Sequence, residues 1–284
     1  MALAPGDLVL CSGTLRRDAT FEERIAAAAA GGFSGVSLWG RDYKRARQEG
    51  LEDSDLRTML DDKGLSVGEI DPLWSWLPGT SQVSIPAALD DLCLFEFSQT
   101  ELFEIAEAVG ARSVNAVDIL GGTWTTTDAT EAFAALCDRA ADHGLLVHIE
   151  FLPWSKIPDI GTAWEIVREA GRPNGGLAVD AWHYFRGTPD LSALSGIPGD
   201  RVLNVQLSDG PAQPEEDLPH AALHDRLLPG DGALDLASLV EALHRIRATA
   251  PIGIEVLSDR LHELAAVDAG RRAGESMRRL LSRT

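Results

Sequence analysis

Four oxygen-bearing side chains stand near the ends of otherwise apolar segments in the second half of the sequence. They are Glu150, Asp180, Gln206 and Glu255. If the fold gathers them, three carboxylates and an amide oxygen face one centre, and protons or a cation must compensate the repulsion. A divalent ion is the simpler compensation. An all-oxygen ligand set favours Mn²⁺ or Mg²⁺, with Co²⁺ or Zn²⁺ as alternatives.

Two further polar residues follow the same segments. His183 comes three residues after Asp180, and Arg226 lies in the loop after the segment that carries Gln206. We predict that His183 faces the substrate and that Arg226 donates two hydrogen bonds to a substrate oxygen. The alternatives are a structural histidine and a surface ion pair. His148 reads as a packed core histidine, while Glu69 and Asp71 are further candidates for the same region.

Tryptophan is concentrated at the ends of the apolar segments. Of the seven tryptophans, only Trp164 falls within a helical stretch. Indole rings around a polar centre would form apolar walls that exclude water and stack on a ring-bearing ligand. Simple loop packing is the alternative. The predicted substrate-binding tryptophans are Trp39, Trp74, Trp124, Trp154 and Trp182.

Eight short β-rich runs alternate with helical segments and must position these side chains. Such alternation predicts parallel strands joined by right-handed crossovers, most simply a single (β/α)₈ barrel over 1–284 with its active site at the carboxyl ends of the strands. A doubly wound sheet is the alternative, but no early Gly-x-Gly-x-x-Gly motif supports it. The runs begin at Leu8, Gly35, Ser66, Ser113, Leu146, Gly176, Val202 and Pro251. Helices are predicted over 21–30, 51–63, 101–109, 129–143, 162–170, 191–194, 236–246 and 261–281.

Composition excludes several classes of protein. The chain has 284 residues and a formal net charge of -19, so its field opposes approach to a nucleic acid. Its three cysteines, Cys11, Cys93 and Cys137, form no disulfide framework and indicate a reducing compartment. We expect no secretory leader and no membrane span, and therefore a cytoplasmic protein. Homo-oligomerisation is left open.

The motifs around these residues resemble the xylose isomerase-like TIM-barrel superfamily, also described as sugar phosphate isomerases/epimerases. The resemblance rests on Glu150, VDAWH at 179–183, VQLSD at 205–209, RLLPGDG at 226–232 and IE at 254–255. It implies that Glu150, Asp180, Gln206 and Glu255 bind one divalent metal and that His183 and Arg226 contact the substrate. Many relatives have His where Gln206 stands. The Glu-Pro-x-Asn-Arg sequence of ketose epimerases is replaced here by EFLPWS at 150–155.

The reaction predicted from this site is proton abstraction next to a metal-polarised carbonyl of a hydroxyketone or sugar-like substrate. The cation would stabilise the enediolate, with Glu150 and Glu255 removing and returning the proton. Epimerisation or isomerisation is the favoured outcome. Loss of a β-leaving group, aryl groups included, would make the protein a lyase or dehydratase acting on a keto-sugar or keto-glycoside. A carbohydrate-binding barrel without activity is the third alternative.

Overall fold

A closed barrel of eight parallel strands forms the centre of the molecule. The computed structural model describes residues 3–80 and 95–283. Each strand pairs with the next along the chain, and the last strand pairs with the first, so the predicted (β/α)₈ barrel is confirmed. The strands are β1 (Leu8–Leu10), β2 (Gly35–Trp39), β3 (Ser66–Leu73), β4 (Ser113–Val117), β5 (Leu146–Glu150), β6 (Gly175–Asp180), β7 (Val202–Leu207) and β8 (Ile252–Ile254).

Helices connect the strands and cover the outside of the barrel. Apolar faces of these helices pack against strands whose residues are almost all buried, as expected for a parallel sheet enclosed on both sides. The helices are α1 (Phe21–Gly31), α2 (Gly40–Gln48), α3 (Asp53–Asp61), α4 (Gln99–Val109), α5 (Thr126–Asp142), α6 (Ile160–Ala170), α7 (Ala181–Arg186), α8 (Leu191–Ser195), α9 (Leu218–His224), α10 (Leu236–Arg245), α11 (Asp259–His262) and α12 (Ala266–Leu281).

Side-chain caps fix where several helices begin. Thr20 and Glu23 form a reciprocal capping box at the start of α1, and Ser98 and Glu101 form a second one at the start of α4. Each pair satisfies two backbone N–H groups that have no partner within the helix. Gly32 then ends α1 in the left-handed conformation, with a φ of 71°.

Helices α2, α7 and α9 were not predicted, and the helix predicted over 261–281 is divided between α11 and α12. Helix α7 starts directly after β6, because the Asp180 side chain accepts a hydrogen bond from the backbone N–H of His183. Asp217 caps α9 in the same way through the N–H of His220. Short helices like these carry too little apolar periodicity to stand out in a sequence.

No helix among the described residues is long and apolar enough to cross a membrane. Cys11 and Cys137 are buried free thiols, and Cys93 lies outside the described residues.

Candidate active site

The four predicted ligands lie on neighbouring strands at the carboxyl end of the barrel, which we call the rim. Glu150 and Asp180 are the last residues of β5 and β6, Gln206 lies in β7, and Glu255 follows β8 directly. The register pairs Asp180 with Gln206. All four side chains are buried, with exposed fractions between 0% and 5%. Glu150, Asp180 and His183 each offer a ligand atom, and these atoms lie within 4.8 Å of one another.

Two oxygens of this group have no hydrogen-bond donor among the described residues. Glu150 Oε1 and Gln206 Oε1 are buried without such a partner, and His183 Nε2 lies 3.5 Å from Glu150 Oε1. Buried acceptors are normally satisfied, because an unmet one costs the free energy of its desolvation. A hard divalent cation binds such oxygens, so the residues present fit a metal ion.

Arg226 lies among the acidic side chains and is itself buried rather than at the surface. Its Nη1 is 2.9 Å from Asp180 Oδ2 and 3.4 Å from Glu255 Oε2. Its Nε donates to the carbonyl oxygen of Ala222 in α9 at 2.8 Å. One guanidinium therefore offsets part of the carboxylate charge and ties α9 to the rim.

His183 is a neutral imidazole in this arrangement. Its Nε2 lies 3.1 Å from Arg226 Nη2, and a guanidinium can only donate, so Nε2 accepts and the ring proton is on Nδ1. The pKa of His183 is lowered to about 3, mainly by burial; Asp180 opposes the shift and Arg226 contributes to it. The buried Nδ1 has no hydrogen-bond partner among the described residues.

Burial also perturbs the carboxyl groups. Burial raises the pKa of Glu150 well above its usual value, and the charges of Glu255, Asp180 and Asp71 raise it further. The pKa of Glu255 is likewise raised by burial, although Arg226 opposes this. Without a cation, these groups therefore resist ionisation, and a bound divalent ion would favour their charged forms.

A cavity with largely apolar walls opens beside these groups. Trp39 and Trp154, two of the five predicted substrate-binding tryptophans, line it. The polar side chains on its surface are Asp71, Glu150, His183, Arg226 and Glu255. The apolar ones include Val117, Ile119, Leu152, Pro219, Ala222, Leu223 and Leu257.

The other three predicted tryptophans are not among the described residues that line this cavity. Trp182 is fully buried behind it, with the guanidinium of Arg226 5.4 Å from its ring centroid. Trp74 packs edge-on against Phe95 with ring centroids 5.0 Å apart. Trp124 is covered by the Lys156 ammonium, 4.3 Å from its ring centroid. Their contact with substrate stays a prediction.

The site also contains a residue that the sequence did not single out, Asn115 in β4. Its Nδ2 donates to Glu150 Oε2 at 2.6 Å and to Asp71 Oδ1 at 2.9 Å. Trp39 Nε1 donates to the second oxygen of Asp71 at 3.1 Å. The available signal was an amide in the middle of the otherwise apolar run SVNAV at 113–117. His148 is buried as expected, but it is bonded to polar groups on both ring nitrogens.

The closed (β/α)₈ barrel makes this chain a TIM-barrel protein, and the clustered oxygen donors lie at the carboxyl ends of the strands, where TIM-barrel enzymes have their active sites. Residues 25–283 match the family described as "Xylose isomerase-like TIM barrel". The chain belongs to this family, as its motifs indicated.

Curated relatives include the 3-dehydroshikimate dehydratase of Pseudomonas aeruginosa, 27% identical over 251 residues, or 87% of this chain and 37% of the relative. The chain thus spans about two fifths of the length of the dehydratases that it matches. The inosose isomerase of Bacillus subtilis is 27% identical over 143 residues, or 49% of this chain and 50% of the relative.

Among solved structures, the IOLI protein with a bound zinc atom is similar to this chain. Its TM-score is 0.83 at 18% identity, with 98% of each chain covered. This likeness supports the fold.

Proposed function

We propose that this protein is a divalent-metal-dependent enzyme that removes a proton next to the carbonyl of a hydroxylated, sugar-like ketone, and that loss of a β-hydroxyl group completes the reaction. The observation that carries the proposal is the placement of Glu150, Asp180, Gln206 and Glu255 at the carboxyl ends of neighbouring strands, where two of their oxygens have no hydrogen-bond partner among the described residues. Dehydration is the outcome favoured by similarity, because the dehydratase of P. aeruginosa aligns with 87% of this chain.

The four rim residues would hold the cation. When bound, the ion supplies Lewis-acid polarisation of the substrate carbonyl. Glu150 removes the proton from the adjacent carbon, and its carboxyl group lines the cavity where that carbon would lie. Glu255 would pass the proton that Glu150 has removed to the departing hydroxyl, so the C–H electrons form the new double bond, the C–O bond breaks and water leaves.

His183 and Arg226 would orient the substrate. The Nδ1–H of His183 is buried without a partner and can donate to a substrate oxygen. Arg226 lines the same cavity, and its attachment to Asp180 and Ala222 fixes the position of its guanidinium. Apolar walls on Trp39 and Leu257 keep water from the reacting carbon.

Isomerisation or epimerisation is the second candidate. It uses the same first step, and two carboxyl groups beside one cavity are suited to removing a proton and returning it elsewhere. The inosose isomerase of B. subtilis favours it, although that match covers only 49% of this chain. A carbohydrate-binding barrel without activity is the third candidate, and the deuterium-exchange experiment described next distinguishes it from both enzymes.

Solvent deuterium exchange tests the proposal. We would incubate the metal-loaded protein in D₂O with 3-dehydroshikimate and with an inosose and follow both by NMR and mass spectrometry. Exchange with elimination supports the dehydratase, and exchange without elimination supports the isomerase. Binding without exchange on either probe would support the non-catalytic barrel and contradict the proposal.

Glu150→Gln tests the assignment of the base. It should abolish exchange while circular dichroism shows an unchanged fold, because glutamine keeps the shape but cannot take a proton. Glu165→Gln, an exposed position on α6, is the matched control and should retain activity. Exchange at the wild-type rate in Glu150→Gln would refute this role.

A further inference from the structure

The interior of the barrel below the rim contains a connected set of polar side chains that the proposed mechanism does not use. Asn115 is its upper member. The Asn115 side-chain Nδ2 donates to one oxygen of Glu150 and to one oxygen of Asp71. Glu150 Oε2 is thereby engaged from inside the barrel.

The opposite end of the same amide connects to a deeper carboxylate. Asn115 Oδ1 is 3.0 Å from His148 Nδ1, and His148 Nε2 is 3.2 Å from Glu69 Oε2. Ser113 Oγ lies 3.1 Å from the same Nε2 and also contacts the carbonyl oxygen of Gly68 at 2.9 Å. Side chains of β3, β4 and β5 thus form one buried chain of polar contacts.

Glu69 determines the orientation of the amide ligand. Gln206 Nε2 donates to Glu69 Oε1 at 3.3 Å, and Asn204 Nδ2 donates to Glu69 Oε2 at 2.8 Å. The reversed Gln206 amide would place its oxygen against a carboxylate, which is repulsive. Gln206 therefore directs its nitrogen to Glu69, and its Oε1 has no hydrogen-bond donor within the described part of the chain.

We propose that Asn115 and Glu69 are positioning residues of the metal site: each engages one polar atom of a ligand from inside the barrel and leaves the other oxygen free for the ion. Asn115 acts on Glu150, Glu69 acts on Gln206, and His148 couples the two. This inference rests on the proposed function, because that proposal supplies the bound metal ion. Such outer hydrogen bonds orient ligands before binding, and their loss weakens metal affinity.

The test is the dissociation constant for Mn²⁺ of the metal-free full-length protein, measured by isothermal titration calorimetry. Asn115→Ala removes the donor to Glu150. Glu69→Gln places an amide nitrogen against the donors of Gln206, Asn204 or His148. Each variant should bind Mn²⁺ about 10- to 100-fold more weakly than wild type.

Asn174→Ala is the matched control. Asn174 also donates two hydrogen bonds from a side-chain amide, but to the backbone carbonyl oxygens of Cys137 at 2.8 Å and Leu145 at 3.1 Å rather than to a rim ligand. It should lower the melting temperature without changing the Mn²⁺ dissociation constant.

Three outcomes overturn the proposal. If the Asn115→Ala and Glu69→Gln variants bind Mn²⁺ as tightly as wild type, these residues do not position the metal ligands. If both variants fail to fold while Asn174→Ala folds, the network is structural and the proposal also fails. A wild-type protein that binds no Mn²⁺ would refute the proposed function as well. If the wild type catalyses deuterium exchange but the variants bind Mn²⁺ as tightly as it does, only this inference is refuted.

Discussion

Burial of like charges dominates the site at the level of single residues. Asp71, Glu150 and Glu255 line one cavity, and Arg226 is the guanidinium among its lining residues. Burial raises the pKa of Asp71 to about 7, with the charge of Glu69 adding to this effect and the hydrogen bonds from Asn115 and Trp39 opposing it. A metal-free protein should therefore hold extra protons here near neutral pH.

The stability of the metal-free protein should depend on Asp71. The unfolded carboxyl group titrates near 3.8 and the folded one near 7, so its stabilising contribution is present below 3.8 and is lost as the pH rises through about 7. From this group the free energy of unfolding should fall between about pH 3.8 and 7, by at most about 1.4 kcal/mol per pH unit, and should level off above pH 7. The pKa of His183 is lowered from 6.5 to about 3, so this group has the opposite effect: it makes the free energy of unfolding rise as the pH increases from about 3 to 6.5.

Urea unfolding at several pH values, in the presence of a chelator, measures this slope. Asp71→Asn should flatten it. An equal slope in Asp71→Asn and wild type would show that another group is responsible.

The candidate metal ligands could be recognised from the sequence, but the side chains that hydrogen-bond to them could not. Glu150, Asp180 and Glu255 stand out because a carboxylate at the end of an apolar strand is unusual. Asn115 and Glu69 act across strands, and which side chains meet inside a barrel depends on strand register and tilt. The irregular register of β2, β3 and β4 is not encoded in any local pattern.

At the level of elements, helices α1 and α12 pack closely against each other beside the pair of strands, β1 and β8, that closes the barrel. Strands β1 and β8 are only three residues long each. A Cβ on Gly274 would lie 2.0 Å from the carbonyl oxygen of Gly31, and one on Gly270 would lie 2.4 Å from that of Ala27. Glycine lets the two backbones approach, as in other tightly packed helix pairs.

Gly274→Ala should therefore destabilise the protein by about 1–3 kcal/mol, because an added methyl group forces the helices apart. Urea denaturation measures the change. Gly161→Ala on α6 is the control, since its nearest neighbour is a side-chain oxygen of Asp159 at 3.4 Å. Equal stabilities of the two variants would contradict the close-contact explanation.

The strands could be predicted from hydrophobic periodicity, but helix α9 could not. This seven-residue helix contributes Pro219, Ala222 and Leu223 to the cavity wall. Its position depends on the side-chain cap from Asp217 and on the hydrogen bond from Arg226 to the carbonyl oxygen of Ala222. Neither contact produces a periodic hydrophobic pattern in the sequence.

At the level of the whole molecule, a net charge of -19 surrounds a site of buried carboxylates. The overall field attracts cations toward the protein and raises their local concentration. A cation that binds the folded state alone stabilises it by mass action.

Saturating Mn²⁺ should therefore raise the free energy of unfolding by about 2.7 kcal/mol at a free concentration near 100 times the dissociation constant. A chelator should reverse the effect. Glu255→Gln, which removes one ligand charge, should lose most of it, whereas weak binding to the acidic surface would persist in this variant. The same increase in both proteins would contradict a specific site.

The central claim is that one divalent cation binds at the rim. Anomalous diffraction from a crystal of the Mn²⁺-loaded protein tests it most directly. We predict a single strong peak within about 2.5 Å of oxygens from Glu150, Asp180, Gln206 and Glu255. A peak elsewhere, or a fully ordered rim without one, would contradict the account.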